Sequence, residues 1–231
     1  MWRKQRLSVA TSSRSPILCR ASVALVLLLV VAVLYYEASL HNFAWYNRNA
    51  NEPCETPKHL MEDLQSLAQD THEVLASLKI NHFLVYGSLW GALRYNRPLP
   101  WDNDFDYGVL YNEISQHSEA EIIEAFKNYG IKCYYSYRFG FYRVTRHTAR
   151  GDIMIYRDFY NSGWMHRTGW EAYLFFVNYR HFHMFPARLV KVPMPTSQFG
   201  NFSMHVPHGK VEMQKYHYPN DWWKVGKPRG C

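Results

Sequence analysis

Residues 21–36 read ASVALVLLLVVAVLYY, sixteen positions without a charge, and no later stretch of the chain is apolar for so long. Ile17, Leu18 and Cys19 lie just upstream, interrupted by Arg20, whose head group can snorkel to an interface. A membrane span needs roughly 17–25 predominantly apolar residues, so the pattern predicts one short transmembrane helix over residues 21–36. A polar and aromatic stretch follows and reads as a stem over residues 37–55. From residue 56 the periodicities become those of a folded domain.

Thr56-Pro57 reads as a helix start, with Thr as N-cap and Pro at the first helical position. Leu60, Leu64, Leu67, Val74, Leu75 and Leu78 continue it at near-helical spacing. A strand is predicted over 82–87 and a small-residue helix over 88–94. The Arg97-Pro98-Leu99-Pro100 segment stops that helix, because proline cannot sit in a helix interior. Alternation predicts a strand over 104–110, then a helix over 118–129. Aromatic strands are predicted over 131–137 and 139–145, with the turn near Phe139-Gly140, and a further strand, DIMIY, over 152–156. Beyond Gly163 the pattern weakens to mixed helix and loop. Helix and strand thus alternate before a run of strands, the signature of an α/β domain with a mixed sheet flanked by helices. The predicted organisation is a cytosolic tail over 1–20, a transmembrane segment over 21–36, a stem over 37–55 and one domain over 56–231.

Charge refines this picture. The chain carries a formal net charge of +7, yet Arg3, Lys4, Arg6, Arg14 and Arg20 all precede the apolar run. Without those five, 21 basic residues face 19 acidic ones. No basic stripe with interleaved aromatics remains in the domain, which excludes a nucleic-acid surface. Positive charge on the N-terminal side predicts a cytosolic N-terminus and a lumenal domain, and a short span suits the thin bilayers of the early secretory pathway. A cleaved signal peptide is the alternative, weakened by the twenty-residue basic lead and the poor cleavage site after the run. Cys54, Cys133 and Cys231 would then be lumenal and allow one disulfide, with the pairing open. Asn201-Phe202-Ser203 is a candidate glycan sequon.

Chemistry concentrates in residues 86–109, YGSLWGALRYNRPLPWDNDFDYGV. Gly87-Ser88 ends a strand and begins a helix, where free N–H groups and the helix dipole favour phosphate. Asp102, Asp104 and Asp106 alternate, so on a strand they would share one face while Phe105 points into the core. Crowded carboxylates repel unless a cation neutralises them, and hard oxygen ligands suit Mg²⁺ or Mn²⁺. Asp152 opens the DIMIY strand; beside the first strand it would complete a metal-binding set and help activate an acceptor hydroxyl for in-line phosphoryl transfer. Asp158 is its rival.

The strings G-S-L-W-G-A-L-R and P-W-D-N-D-F-D resemble the signature of the LicD-type phosphocholine transferases, fukutin and fukutin-related protein. A looser echo follows in Val206-Pro207, Tyr216 and Asp221-Trp222, while Trp90 departs from the usual leucine. The resemblance implies a nucleotidyltransferase-like fold and a metal-dependent transfer of a phospho-alcohol, such as phosphoribitol or phosphocholine, from a CDP-alcohol to a glycan or glycoprotein. It implies Asp102, Asp104 and Asp106 at the metal, with Asp152 as a third catalytic carboxylate beside Asp104 and Asp106. Gly87, Ser88 and Arg94 would bind the donor, Arg94 either pairing a phosphate or bracing Asp102. Such a protein would sit in the Golgi or ER membrane, with lumenal transferases as candidate partners. The alternatives are a non-catalytic Golgi partner of a related transferase, and an enzyme that transfers the nucleotidyl group itself.

Competing readings are less specific. Asp102, Asp104, Asp106 and Glu113 match calcium-loop spacing, but Tyr107 occupies the position that requires glycine. A solvated acidic turn accounts for the aspartates but not for Gly87-Ser88 or the Pro-Trp lead-in. His181, His183, His205, His208 and His217 match no zinc spacing and read as scattered surface or core residues. Trp222-Trp223 reads as packing rather than a sugar platform.

Overall fold

A computed structural model describes residues 16–41 and 55–225. The basic tail before residue 16, most of the predicted stem, Cys54, Cys231 and the Cys19 side chain lie outside the described residues. The chain divides into two compact units, Met1–Leu40 and His41–Cys231.

The first unit contains helix α1, Pro16–His41. Its segment Arg20–Ser39 is long and apolar enough to cross a membrane, with a mean hydropathy of 2.2. A membrane anchor and a signal sequence meet that criterion equally.

The second unit is a mixed α/β fold around a mostly antiparallel sheet. It begins with α2 (Lys58–Ser77), β1 (His82–Leu84), α3 (Tyr86–Tyr95), β2 (Phe105–Leu110) and a helical turn α4 (Tyr111–Ile114). Next come α5 (Glu119–Lys127), β3 (Lys132–Ser136), β4 (Phe141–Arg146) and the long β5 (Ala149–Asp158). Then follow β6 (Trp164–Arg167), α6 (Glu171–Leu174), α7 (Phe176–Phe182) and β7 (Met184–Pro186), and finally a hairpin of β8 (Thr196–Phe199) and β9 (Phe202–His205), and α8 (Val211–His217). The main sheet runs β1-β2-β5-β4-β3, and β6 and β7 extend it along the far half of β5. Every pairing is antiparallel except β2 with β5.

Strand alternation separates a core face from a site face. On β2, Phe105, Tyr107 and Val109 are fully buried. Tyr107 reaches α2, where its hydroxyl donates to the Ala68 carbonyl at 2.9 Å. Leu64, Leu67, Ala68, Val74 and Leu75 of α2 complete that layer, each large side chain contributing roughly 1.5–3 kcal/mol on burial. Asp106 points to the opposite face, and β5 repeats the pattern, with Ile153 and Ile155 in the core and Asp152, Met154 and Tyr156 on the other side.

The structure departs from the sequence reading in several places. β1 ends at Leu84 and α3 starts at Tyr86, so Gly87-Ser88 lie in the first turn of the helix rather than at the end of a strand, and β5 runs from Ala149, so Asp152 lies within it rather than opening it. The N-cap of α2 is Pro57 with no side-chain cap bond, because Thr56 is used elsewhere: its hydroxyl donates to the Asp102 carbonyl at 2.6 Å and its N–H to Pro100 O at 2.8 Å. β2 begins at Phe105, so Asp102 and Asp104 lie in the loop before the strand rather than on it. The region beyond Gly163 contains four strands, too short for periodicity to reveal. The predicted α5 is capped as its sequence suggests, with Ser118 and Glu121 forming a capping box.

A cluster of histidines lies where α2, β1 and β9 meet. His82 is buried, bonds the Ile80 carbonyl through Nδ1 at 2.8 Å and meets His72 Nδ1 through Nε2 at 2.6 Å. His205 packs edge-on against it at 6.3 Å. Burial, followed by the neighbouring His72 and His205, lowers the His82 pKa to about 4, outweighing the opposing bond to Ile80. The folded state therefore resists a proton that the unfolded chain accepts below about pH 6.5. Stability is at its plateau above that pH and falls as pH drops toward 4, by about 3 kcal/mol from His82. Thermal denaturation across this range should show the decline, and His82→Gln should flatten it; an unchanged slope in the variant would contradict the assignment.

Candidate active site

One cleft of about 290 Å³ gathers the sequence motifs. Tyr86 and Gly87 at the start of α3, and Asp102, Asp104 and Asp106, line one side. Met154, Arg167, His183, His217 and Tyr218 bring β5, β6, the end of α7 and the end of α8 to the other. Tyr86 adopts φ 48°, a left-handed conformation that is uncommon for a tyrosine. Its carbonyl accepts from Gln214 Nε2 at 2.7 Å, which ties α8 to the first turn of α3.

The three aspartates are only partly neutralised from within, by Arg150 at Asp104 and by the charge of Arg167 at Asp106. Burial and the adjacent Asp104 push the Asp102 carboxyl up to about 7, and its Oδ2 has no hydrogen-bond partner. Burial, then the charges of Asp104, Asp152 and Asp102, holds Asp106 well above the usual carboxylate range. Asp104 is raised by burial and by Asp152, against the pull of Arg150 at 3.4 Å and of Arg143.

Asp152 lies beside Asp106 in the parallel β2–β5 register and opposite Arg143 in the β5–β4 register. Arg143 grips it with both ends of the guanidinium fork, Nε to Oδ1 at 2.7 Å and Nη2 to Oδ2 at 2.6 Å. Asp106, Asp152 and Arg143 thus form a row across three strands, with both oxygens of Asp152 occupied.

The remaining motif residues are placed as follows. The buried Ser88 hydroxyl accepts the Asp106 N–H at 2.9 Å and so braces the acidic strand. Arg94 stacks on Trp90 at 3.5 Å and donates to the Trp222 carbonyl at 3.2 Å, away from the cleft lining. A Cβ at Gly87 would meet only the Asp102 carboxylate, at an ordinary 3.5 Å. Packing within the chain therefore does not demand glycine here, and the free space belongs to the cleft.

No group of three or more His, Cys, Asp or Glu side chains among the described residues is arranged to hold a metal ion as it stands. The donor chemistry nevertheless suits a hard divalent cation: three carboxylates on one wall, all held above their ordinary range by burial and by the neighbouring carboxylates, and one partnerless oxygen.

Sequence reasoning missed the opposite wall. His217 bonds the Phe182 carbonyl through Nδ1 at 3.0 Å, and His183 Nδ1 shares a hydrogen bond with the Tyr86 hydroxyl at 2.8 Å. Tyr156 donates to the same Tyr86 oxygen at 3.0 Å. His217 and Tyr218 directly follow Tyr216 of the loose C-terminal echo, which was the available signal.

The LicD/FKTN/FKRP nucleotidyltransferase-domain family model matches residues 79–209, from the strand before the glycine turn to the approach to α8. The chain belongs to the LicD family. Membership suggests a transferase of the phospho-alcohol class. An uncharacterized protein of Rickettsia prowazekii is 23% identical over 210 residues, 87% of this chain and 72% of that protein. An uncharacterized protein of Rickettsia typhi is 26% identical over 114 residues, 48% of this chain and 36% of that one.

Free cysteine, sequon and tryptophans fall outside this LicD cleft. Cys133 is a free thiol on β3, pushed up to about 12 by burial and by Glu119. Asn201, in the turn between β8 and β9, donates to Gln69 Oε1 at 2.9 Å. Trp222 packs edge-on to Trp223 and under Lys215.

Proposed function

We propose that this LicD-family chain transfers a phospho-alcohol, such as phosphoribitol or phosphocholine, from a CDP-activated donor to a hydroxyl of a glycan or glycoprotein. The observation that carries the reading is a single cleft whose wall is three mutually repelling aspartates beside the N-terminus of α3, in a chain of this family. Asp104 and Asp106, with Asp102 beside them, would hold Mg²⁺ or Mn²⁺; such an ion, when bound, offsets charge on the donor's phosphates.

The residues of the chain divide the remaining work. The open space at Gly87 admits the donor close to the backbone. Asp102, with its free Oδ2 and a pKa near neutrality, takes the proton of the attacking hydroxyl. The acceptor oxygen forms its bond to the phosphorus that bears the alcohol, the bond from that phosphorus to the CMP oxygen breaks, and CMP leaves. Asp152, fully engaged by Arg143, fixes the register of the acidic row rather than receiving the proton. Helix α1 would anchor the enzyme in a Golgi or ER membrane with this domain lumenal.

Thermal denaturation of the full chain with a panel of CDP-alcohols, in Mn²⁺ and in chelator, tests the reading. A donor at about 100 times its Kd adds roughly 2.7 kcal/mol, a shift of several degrees at this size. One CDP-alcohol should shift the transition in Mn²⁺ only, and CMP should be released on incubation with acceptor glycans. A shift with no CDP-alcohol would move the reading to a non-catalytic partner, and release of the phospho-alcohol in place of CMP would move it to nucleotidyl transfer.

A further inference from the structure

Arg167 ends β6 with 8% of its surface exposed and faces the same cleft as the acidic wall. A guanidinium withdrawn from water requires a counter-charge or a full set of acceptors. Arg138, Arg143, Arg146, Arg150 and Arg188 each sit with a carboxylate. Arg167, more buried than most of these, has no carboxylate within ion-pair distance among the described residues. Its Nη2 donates to the Phe139 carbonyl at 2.9 Å, its Nε has no hydrogen-bond partner, and its other neighbours are the neutral Tyr86 hydroxyl and the rings of Tyr179 and Phe141.

The two walls have opposite deficits. The aspartates need more positive charge, and Arg167, whose charge reaches Asp106 without an ion-pair contact, needs more negative charge. Tyr156, the register partner of Arg167, lies four residues along β5 from Asp152, about 13 Å at the rise of a strand. A cation answers only the aspartates and an anion only Arg167, whereas a phosphate-bearing ligand with its cation answers both walls of the one cleft.

We propose that Arg167 is the anion-binding residue of the cleft, and that its guanidinium holds a phosphate of a diphosphate ligand whose cation faces the aspartates. Planar, bidentate geometry and weak hydration make arginine suited to phosphate at a desolvated site. The assignment deepens the proposed function, since both place phosphate here, but it concerns any diphosphate and does not depend on the alcohol. It gives the phosphate-pairing role to Arg167 in place of Arg94, whose guanidinium is committed to Trp90 and Trp222.

The test is calorimetric titration of the full chain in detergent with inorganic pyrophosphate and Mg²⁺, on the wild type, Arg167→Gln and Arg167→Lys. The Lys variant keeps the charge and serves if the Gln variant does not fold. Loss of a charge-assisted bond should raise the Kd about ten- to hundredfold in Arg167→Gln, and loss of the fork about tenfold in Arg167→Lys. The rise in melting temperature on adding pyrophosphate should shrink in parallel, a ligand-dependent difference that a merely structural role would not alter. Wild-type affinity in either folded variant overturns the assignment, as does a wild type that turns over a CDP-alcohol without binding pyrophosphate. Pyrophosphate binding that is lost with Arg167, in a protein that turns over no CDP-alcohol, upholds the anion site and defeats the transferase reading instead.

Discussion

Replacing Asp106 by Asn lowers turnover at least about a hundredfold, the scale of losing one preorganised electrostatic group at a reacting centre, while the unliganded protein stays as stable as the wild type or gains. The two halves of this expectation share one cause. Asp106 sits on the site face of β2, buried beside Asp104, Asp152 and Asp102, so its negative charge costs stability whenever no cation is bound. Asparagine keeps the shape and removes the repulsion. Its amide cannot replace an anionic oxygen at a metal. Asp104→Asn should behave alike in turnover, with a smaller gain in stability because Arg150 already offsets part of that charge. Turnover assays and melting temperatures in chelator check both halves. Wild-type rates in either variant would sink the metal-site assignment, and a large loss of stability would show that these carboxylates support the fold rather than tax it.

The second large effect is on stability. Arg143→Met strands Asp152 next to Asp106 with no counter-charge, and should cost about 2–3 kcal/mol, below the roughly 3–5 kcal/mol of a fully buried pair because the Arg143 side chain is 32% exposed. That corresponds to a fall of roughly 5–10 °C in Tm. Arg143→Met with Asp152→Asn should recover most of the loss, since the uncompensated charge is gone. A double variant as unstable as the single one would mean that the packing of Arg143, not its charge, is what the sheet needs.

The readability of this chain from sequence follows the length over which each signal is spread. Helix α2 carries six apolar positions at one spacing, and β5 a run of apolar residues, so both are legible. The short strands β6 to β9, of three or four residues each, hold too few alternations to stand out, and tertiary pairing alone defines them. The glycine turn and the acidic loop were readable because their residues are close in sequence and chemically unusual. Arg167 and His183 were not, because nothing in WMHRT or in YRHFHM marks a residue that faces aspartates sixty or more positions earlier, and His217 had only the loose echo at Tyr216 beside it. Arg94 shows the converse limit: its position in the motif suggested a phosphate, whereas the neighbouring Trp90 offers its guanidinium a ring to stack on.

Thr56 bears on where the folded part of this chain can safely be cut. Judged by secondary structure, the domain begins at Lys58, and a shortened chain starting there would contain every helix and strand of the sheet. It would lack both hydrogen bonds by which Thr56 clasps Pro100 and Asp102. Such a fragment can be soluble, cooperative and correctly folded by every global measure, and still present a slack acidic loop. Inactivity in a fragment trimmed to its first helix would then report on the trimming, not on the full chain.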